Sequence, residues 1–123
     1  MRYEAIDFRG EAAAEAAIAR DEPAELLYVP VAASLHAERL EWAQGVCARL
    51  AAHPHFNVRG NAVLGFAHLA RRFRRLDRAL VEPLVAGALA DPDPYVRGHA
   101  HDAAADLRHF LGWDLALSGQ ADR

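Results

Sequence analysis

The chain has 123 residues, of which 53% are hydrophobic and 25% charged, and its formal net charge is −3 at pH 7. This length suits one domain with a core of its own, and the acidic balance argues against a domain that binds nucleic acid by charge alone. No apolar run reaches the length of a membrane span, and the start of the sequence lacks the apolar centre of a signal peptide, so we expect a cytoplasmic protein without a membrane partner.

The composition predicts an all-α fold. Alanine is the commonest residue and β-branched residues are few, and alanine and leucine are strong helix formers. The first stretch, residues 1–9, is ambiguous, because Tyr3, Ile6 and Phe8 fit either a short extended segment or an anchoring arm.

The next part of the chain predicts a divergent helical hairpin. Alanine-rich residues 11–19 predict its first helix, and residues 25–36 predict its second. Pro23 follows two acidic residues, as is typical of the first turn of a helix. Pro30 falls inside the second helix and must kink or interrupt it, because proline has no N–H to donate and clashes with the preceding turn.

The remaining sequence predicts four more helices, at residues 38–52, 56–75, 77–90 and 95–111. In the first of them, Cys47 lies between Val46 and Ala48, so we expect a core thiol, and a single cysteine excludes an internal disulfide. In the second, the apolar residues nearly encircle the helix, which indicates burial. The last helix is expected to end at Gly112, with Trp113 packing back.

One phrase occurs twice. Residues 53–62 read HPHFNVRGNA and residues 91–100 read DPDPYVRGHA, at a constant offset of 38 residues. Self-similarity at this period indicates stacked units, each of which buries its apolar face only against its neighbour. Val63 and Leu64 become His101 and Asp102 in the later copy, as expected of an internal unit followed by a terminal cap with a polar outer face.

Asp91, Val96 and Arg97 resemble the HEAT-repeat signature, in which an acid ends the turn between two helices and a Val-Arg pair opens the second. The resemblance covers residues 38–111. It implies a single domain built as a short right-handed α-solenoid of about three HEAT-like hairpins, at residues 10–36, 38–75 and 77–111, with an N-terminal arm at 1–9 and a tail at 112–123. It also implies a ladder between units that involves Asp91, Arg59 and Arg97, although His53 stands where the earlier unit should have its acid.

A narrower resemblance is carried by the stretch from LLYVPVAASLHAERLEWAQ to ARRFRRLD and by YVRGHAHDAAADLRHFLGW. These stretches are similar to a family of small bacterial HEAT-repeat proteins that accompany polymorphic toxins as immunity partners. The resemblance implies a non-enzymatic protein that binds a cognate toxin domain and neutralises it.

Partner-facing candidates lie on the two matched helices, which the resemblance places on the concave side of the stack. They are Asn61, His68, Arg72, His99, Asp102 and Asp106. The last three lie with His109 on one face of a helix, at spacings i, i+3, i+7 and i+10. This stripe fits a solvated surface, an acidic patch for a basic toxin domain, or, least favoured, a metal-dependent enzyme; we assign it no metal ligand.

The alternative to protein binding is nucleic-acid binding through the basic run RRFRRLDR, residues 71–78. The run lies at the end of a helix, where cations are favoured anyway, so a solvated helix end is the simpler interpretation. No recognised catalytic motif is present, so we expect neither catalytic residues nor a cofactor.

Overall fold

The computed structural model describes residues 8–115, and this part of the chain is all-helical, with no strand. It contains seven helical segments: α1 (Glu11–Arg20), α2 (Pro23–Leu26), α3 (Val29–His36), α4 (Leu40–Leu50), α5 (Phe56–Phe73), α6 (Arg78–Ala88) and α7 (Pro94–Leu111). The predictions for Tyr3 and Ile6 in the arm, and for most of the tail, lie outside the described residues.

The predicted interruption near Pro30 is confirmed, and it falls just before the proline. Helix α2 ends at Leu26, and α3 begins at Val29, which places Pro30 in the first turn of α3. The amide of a first-turn residue has no partner within the helix, so proline costs no hydrogen bond there. Helix α1 ends where Asp21 takes a left-handed conformation, with φ 54°.

The later helices begin at side-chain caps. Helix α7 ends at Leu111 as predicted, whereas α5 and α6 end at Phe73 and Ala88, two residues earlier than predicted. His55, Asp77 and Asp93 each accept a hydrogen bond from a backbone N–H in the first turn of the helix that follows. Gly112 closes α7 with φ 70°, a conformation that glycine adopts without steric cost. Trp113 then packs back and is 7% exposed, and the guanidinium of Arg78 lies 5.3 Å from the centre of its ring system.

Helix α5 lies at the centre of the molecule. It packs against α3 and α4, which precede it in the chain, and most extensively against α7, which follows it. Helices α4 and α6 contact each other, both contact α5, and α6 also contacts α7. The core stripe of α5, formed by Val58, Ala62, Phe66 and Leu69, is fully buried, and Phe73 on the same side is partly buried. The helices α3, α5 and α7 therefore form one row, and α4 and α6 belong to a second.

Close packing of three helices explains the glycine in the middle of α5. A Cβ atom at Gly65 would lie 2.6 Å from the Sγ atom of Cys47 in α4 and 3.4 Å from Cβ of Ser34 in α3. Cys47 is fully buried, which confirms the predicted core thiol, and burial raises the pKa of that thiol to about 12. Within residues 8–115, none of the helices combines the length and the apolar character of a transmembrane span.

Candidate protein-binding surface

The two copies of the repeated phrase make the same local hydrogen bonds. Arg59 donates from Nη1 to the carbonyls of His53 and Pro54, at 3.1 and 3.0 Å. Arg97, its counterpart 38 residues later, donates from Nη1 to the carbonyls of Asp91 and Pro92, at 2.8 and 3.0 Å. The repetition in sequence is therefore a repetition of structure, with each arginine closing the turn before its own helix.

Histidines replace the acids of the later turn without loss of the turn's hydrogen bonds. His53 Nδ1 accepts from the N–H of His55 at 3.0 Å, as Asp91 Oδ1 accepts from the N–H of Asp93 at 2.9 Å. The neutral imidazole supplies one acceptor nitrogen, which is sufficient for this role. A motif search that requires an acid at this position would miss the equivalence.

A bidentate ion pair joins the two turns. Arg59 Nε and Nη2 donate to the Asp91 carboxylate at 2.7 and 3.0 Å, and the two side chains are 18% and 11% exposed. The hydrogen bond from Arg59 lowers the pKa of the Asp91 carboxyl. The turn before it is linked in a similar way, because His53 Nε2 lies 2.7 Å from Asp21 Oδ1. Of the expected ladder, Arg59 and Asp91 meet, whereas the hydrogen bonds of Arg97 within the described part of the chain go to its own turn.

The equivalent glycines of the two copies have different surroundings. A Cβ at Gly60 would lie 2.8 Å from two ring carbons of Tyr95 in α7, so glycine lets α7 approach α5. A Cβ at Gly98 would meet nothing within 4 Å. Helix α5 packs its Gly60 side against α7, whereas the equivalent Gly98 side of α7 has no neighbour among residues 8–115.

This difference predicts opposite effects of the same substitution. Gly98→Ala is expected to stabilise the fold by about 0.5–1 kcal/mol, because alanine has the higher helix propensity and the space is open. Gly60→Ala is expected to destabilise it by about 1 kcal/mol, because the ring of Tyr95 must move. Urea unfolding monitored by circular dichroism checks both, and equal effects at the two sites would contradict the assignment of Gly60 to the helix contact.

Three of the six partner-facing candidates lie in packing contacts, which corrects the sequence interpretation. Asn61 and His68 are 6% and 8% exposed. The Asn61 amide donates to the carbonyl of Leu27 at 2.9 Å, and its oxygen accepts from the hydroxyl of Tyr95. The guanidinium of Arg72 donates to two carbonyls at the end of α3, those of Ser34 and Ala37, at 2.8 and 2.7 Å. These side chains hold helices together. Asn61 and His68 leave little surface for a partner, whereas Arg72 stays exposed beside its packing contact.

His68 is a neutral imidazole in this setting. Arg71 Nη2 lies 3.1 Å from His68 Nδ1, and an arginine can only donate, so the proton of the ring is on Nε2. Burial, with the nearby charge of Arg71 and the neighbouring His99, lowers the pKa of His68 to about 4.

The arginines of the basic run are engaged by the protein itself. Arg74 stacks over Phe110 at 4.7 Å, Arg75 pairs with Glu41 at 3.3 Å, and Arg78 pairs with Glu82 at 3.0 Å. With Arg71 and Arg72 bonded as described, the run stabilises the end of α5 and the start of α6. The nucleic-acid alternative gains no support from this arrangement.

The predicted stripe on α7 keeps its carboxylates toward solvent. Asp102 is exposed and Asp106 partly exposed, and within residues 8–115 neither forms an ion pair. His99 is half-buried against Tyr95, with ring centres 4.4 Å apart, and burial lowers its pKa, so at pH 7 it does not offset the charge of Asp102. Among the described residues, no group of histidine, cysteine or acidic side chains has the arrangement of a metal site.

Sequence reasoning missed an exposed aromatic ridge beside this stripe. Phe56 and Tyr95 are 39% and 38% exposed and meet edge to face, with ring centres 5.7 Å apart. His55 stacks on Phe56 at 5.2 Å, and the ridge continues through Tyr95 to His99. A cleft of about 390 Å³ lies between the two turns at this ridge, lined by Pro54, His55, Phe56, Arg59, Pro92, Asp93 and Pro94. The available signal was a large aromatic side chain directly after each proline-containing turn, outside the core stripe.

No protein-family model matches the sequence, no curated protein matches it, and no solved structure matches the chain. The arrangement of the described residues therefore carries what can be proposed about function.

Proposed function

We propose that the chain is a non-enzymatic protein-binding domain, built as a short α-solenoid of HEAT-like hairpins. Three observations support the solenoid: the turns repeat their hydrogen bonds at an offset of 38 residues, an ion pair links successive turns, and α3, α5 and α7 pack in one row. Each is what side-by-side stacking of like units requires.

The observation that carries the binding role is the open outer face of α7. The corresponding face of α5 carries Val63, which is fully buried, and Leu64, which is largely buried. At the equivalent positions α7 carries His101 and Asp102, which are exposed to solvent. The carboxylates of Asp102 and Asp106, which form no ion pair within residues 8–115, lie on the same helix as Tyr95 of the exposed aromatic ridge. Aromatic side chains supply most of the binding energy in many interfaces, and surface charge speeds the encounter of oppositely charged partners.

The partner proposed is a basic toxin domain, and the chain would neutralise it by covering its active surface. The support is the resemblance to immunity-type HEAT-repeat proteins together with the acidic stripe on α7. The test is co-expression in a bacterial host with the product of the neighbouring gene, scored by growth and by co-purification of the two proteins. A neighbour that is not toxic, or that does not bind, would refute the immunity role.

The double reversal Asp102→Arg with Asp106→Arg is expected to weaken that complex at least about tenfold, because two attractive charges become repulsive. Helix content should not change, because Asp102 is exposed and neither residue forms an ion pair within the described part of the chain. Calorimetric titration at two salt concentrations measures the loss, which should shrink as salt screens the charges.

The matched control is Glu22→Arg with Glu38→Arg. Both residues are exposed and lie near the start of α2 and the end of α3, and this pair changes the net charge by the same amount. If both double variants weaken the complex equally, the effect is one of overall charge, and the α7 face is not the binding surface.

A further inference from the structure

Three consecutive residues of α5 hold the start of α7. Arg59 binds the carboxylate of Asp91 through Nε and Nη2. Gly60 leaves room for the ring of Tyr95, and the side-chain oxygen of Asn61 accepts a hydrogen bond from the Tyr95 hydroxyl. Asp91 lies in the turn, two residues before the N-cap Asp93, and Tyr95 lies in the first turn of α7.

The same three positions recur on α7 as Arg97, Gly98 and His99, with their outward sides open. Arg97 uses Nη1 for the turn, but within residues 8–115 its Nε and Nη2 make no hydrogen bond. Gly98 leaves space that no described atom fills. His99 replaces Asn61 as a side chain with a hydrogen-bond acceptor.

We propose that Arg97, Gly98 and His99 form a docking site for a turn and the helix that follows it in a partner protein, with an acid in the turn and, four residues later, a tyrosine in the first turn of the helix. The acid binds Arg97 as Asp91 binds Arg59. The tyrosine ring covers Gly98, and its hydroxyl donates to the imidazole of His99. This inference rests on the proposed protein-binding function and adds the chemistry that the partner must have.

Asp106, in the stripe on α7, adds one more residue to the features that the partner must have. Asp106 is the counterpart of His68, and His68 lies close enough to His99 of the next helix for their charges to interact. The partner position equivalent to His99 follows the tyrosine by four residues, so a lysine or arginine there faces Asp106. The tyrosine and the base, four residues apart, lie on one helix face, and the acid precedes them in the turn.

Charge also decides between a partner protein and another copy of this chain. The partner needs a base where this chain has His99, and a second copy supplies none at that position. Its Asp91 and Tyr95 are, in addition, already held by its own α5. The occupant is therefore a separate protein with an Asp-x-x-x-Tyr-x-x-x-Lys or an Asp-x-x-x-Tyr-x-x-x-Arg sequence, in which the helix begins after the acid.

The test uses the full chain and a peptide of about twenty residues that carries Asp, Tyr and Lys at this spacing. The Asp lies in a turn ahead of a helix that a lactam staple stabilises, since short unstapled helices are marginal in water. Fluorescence anisotropy measures binding. We expect the peptide to bind the wild-type chain at least about tenfold more tightly than a peptide with alanine in place of tyrosine. Gly98→Leu should abolish the difference while leaving helix content and thermal midpoint intact, because the space is open.

Gly87→Leu is the matched control, since Gly87 is an open glycine on another helix, α6, and this variant should bind the peptide as the wild type does. Equal affinity for the two peptides, including no binding of either, overturns the inference, as does unchanged binding by Gly98→Leu. Failure of the proposed function is separate: peptide binding without toxin neutralisation refutes the immunity role alone, and neutralisation that survives Gly98→Leu refutes the docking site alone.

Discussion

Replacing Asp91 by alanine is expected to lower the free energy of unfolding by about 2–3 kcal/mol. Arg59 would keep its charge at a side chain that is only 18% exposed, without the carboxylate that now accepts two of its hydrogen bonds. The N–H of Asp93 would also lose its acceptor in the turn. Urea unfolding followed by circular dichroism measures the loss.

The matched control is Asp21→Ala in the equivalent contact one turn earlier. The Asp21 side chain is 64% exposed, so removing its contact with His53 should cost less than about 1 kcal/mol. A loss at Asp91 no larger than at Asp21 would show that the ion pair does not join the units. The effect should also fade in acid: Arg59 lowers the pKa of the Asp91 carboxyl, so the stabilisation holds above the unfolded pKa and is lost as pH falls through the folded value.

His68 is expected to make the fold sensitive to acid. Burial lowers its pKa to about 4, whereas the imidazole of the unfolded chain has its ordinary pKa of 6.5. Below pH 6.5 the unfolded chain therefore binds a proton that the native chain does not. Between pH 6.5 and 4 this group should reduce the free energy of unfolding by up to about 3 kcal/mol, with no further loss from it below pH 4.

The variant His68→Gln isolates this contribution, because glutamine keeps an acceptor for Arg71 and does not titrate. The difference in unfolding free energy between wild type and variant, measured at pH 8, provides the baseline. Relative to that baseline the variant should gain about 2.5 kcal/mol by pH 4.5, as measured by urea unfolding. A difference that stays constant from pH 8 to 4.5 would refute the assignment of His68 as a buried neutral base.

The helices and turns were predictable from residues close together in the chain. Asp77 and Gly112 mark the ends of helices through hydrogen bonds to backbone groups within a few residues. Pro30 was correctly expected to interrupt its helix, although the break precedes it. The repeated phrase predicted equivalent turns, and the carbonyl bonds of Arg59 and Arg97 confirm that equivalence.

The binding face was only partly predictable. Asp102 was correctly expected on the polar outer side of α7, since its counterpart in the earlier copy is leucine. Asn61 and His68 looked like surface residues on the same grounds of polarity, yet both are buried. Helical periodicity predicts the direction in which a side chain points from the helix axis. Whether another helix covers that side chain depends on how the helices pack, which periodicity does not predict.

The sequence by itself determined where helices start and stop and which segments are equivalent, because caps, prolines and local hydrogen bonds act over a few residues. Only the tertiary structure decided which polar groups became internal partners. Tyr95 lies over Gly60 and bonds Asn61, and Arg72 bonds the end of α3, through approaches between helices more than 30 positions apart. Such approaches follow from the packing of the whole row of helices, in which α5 has a neighbour over its glycine and α7 does not.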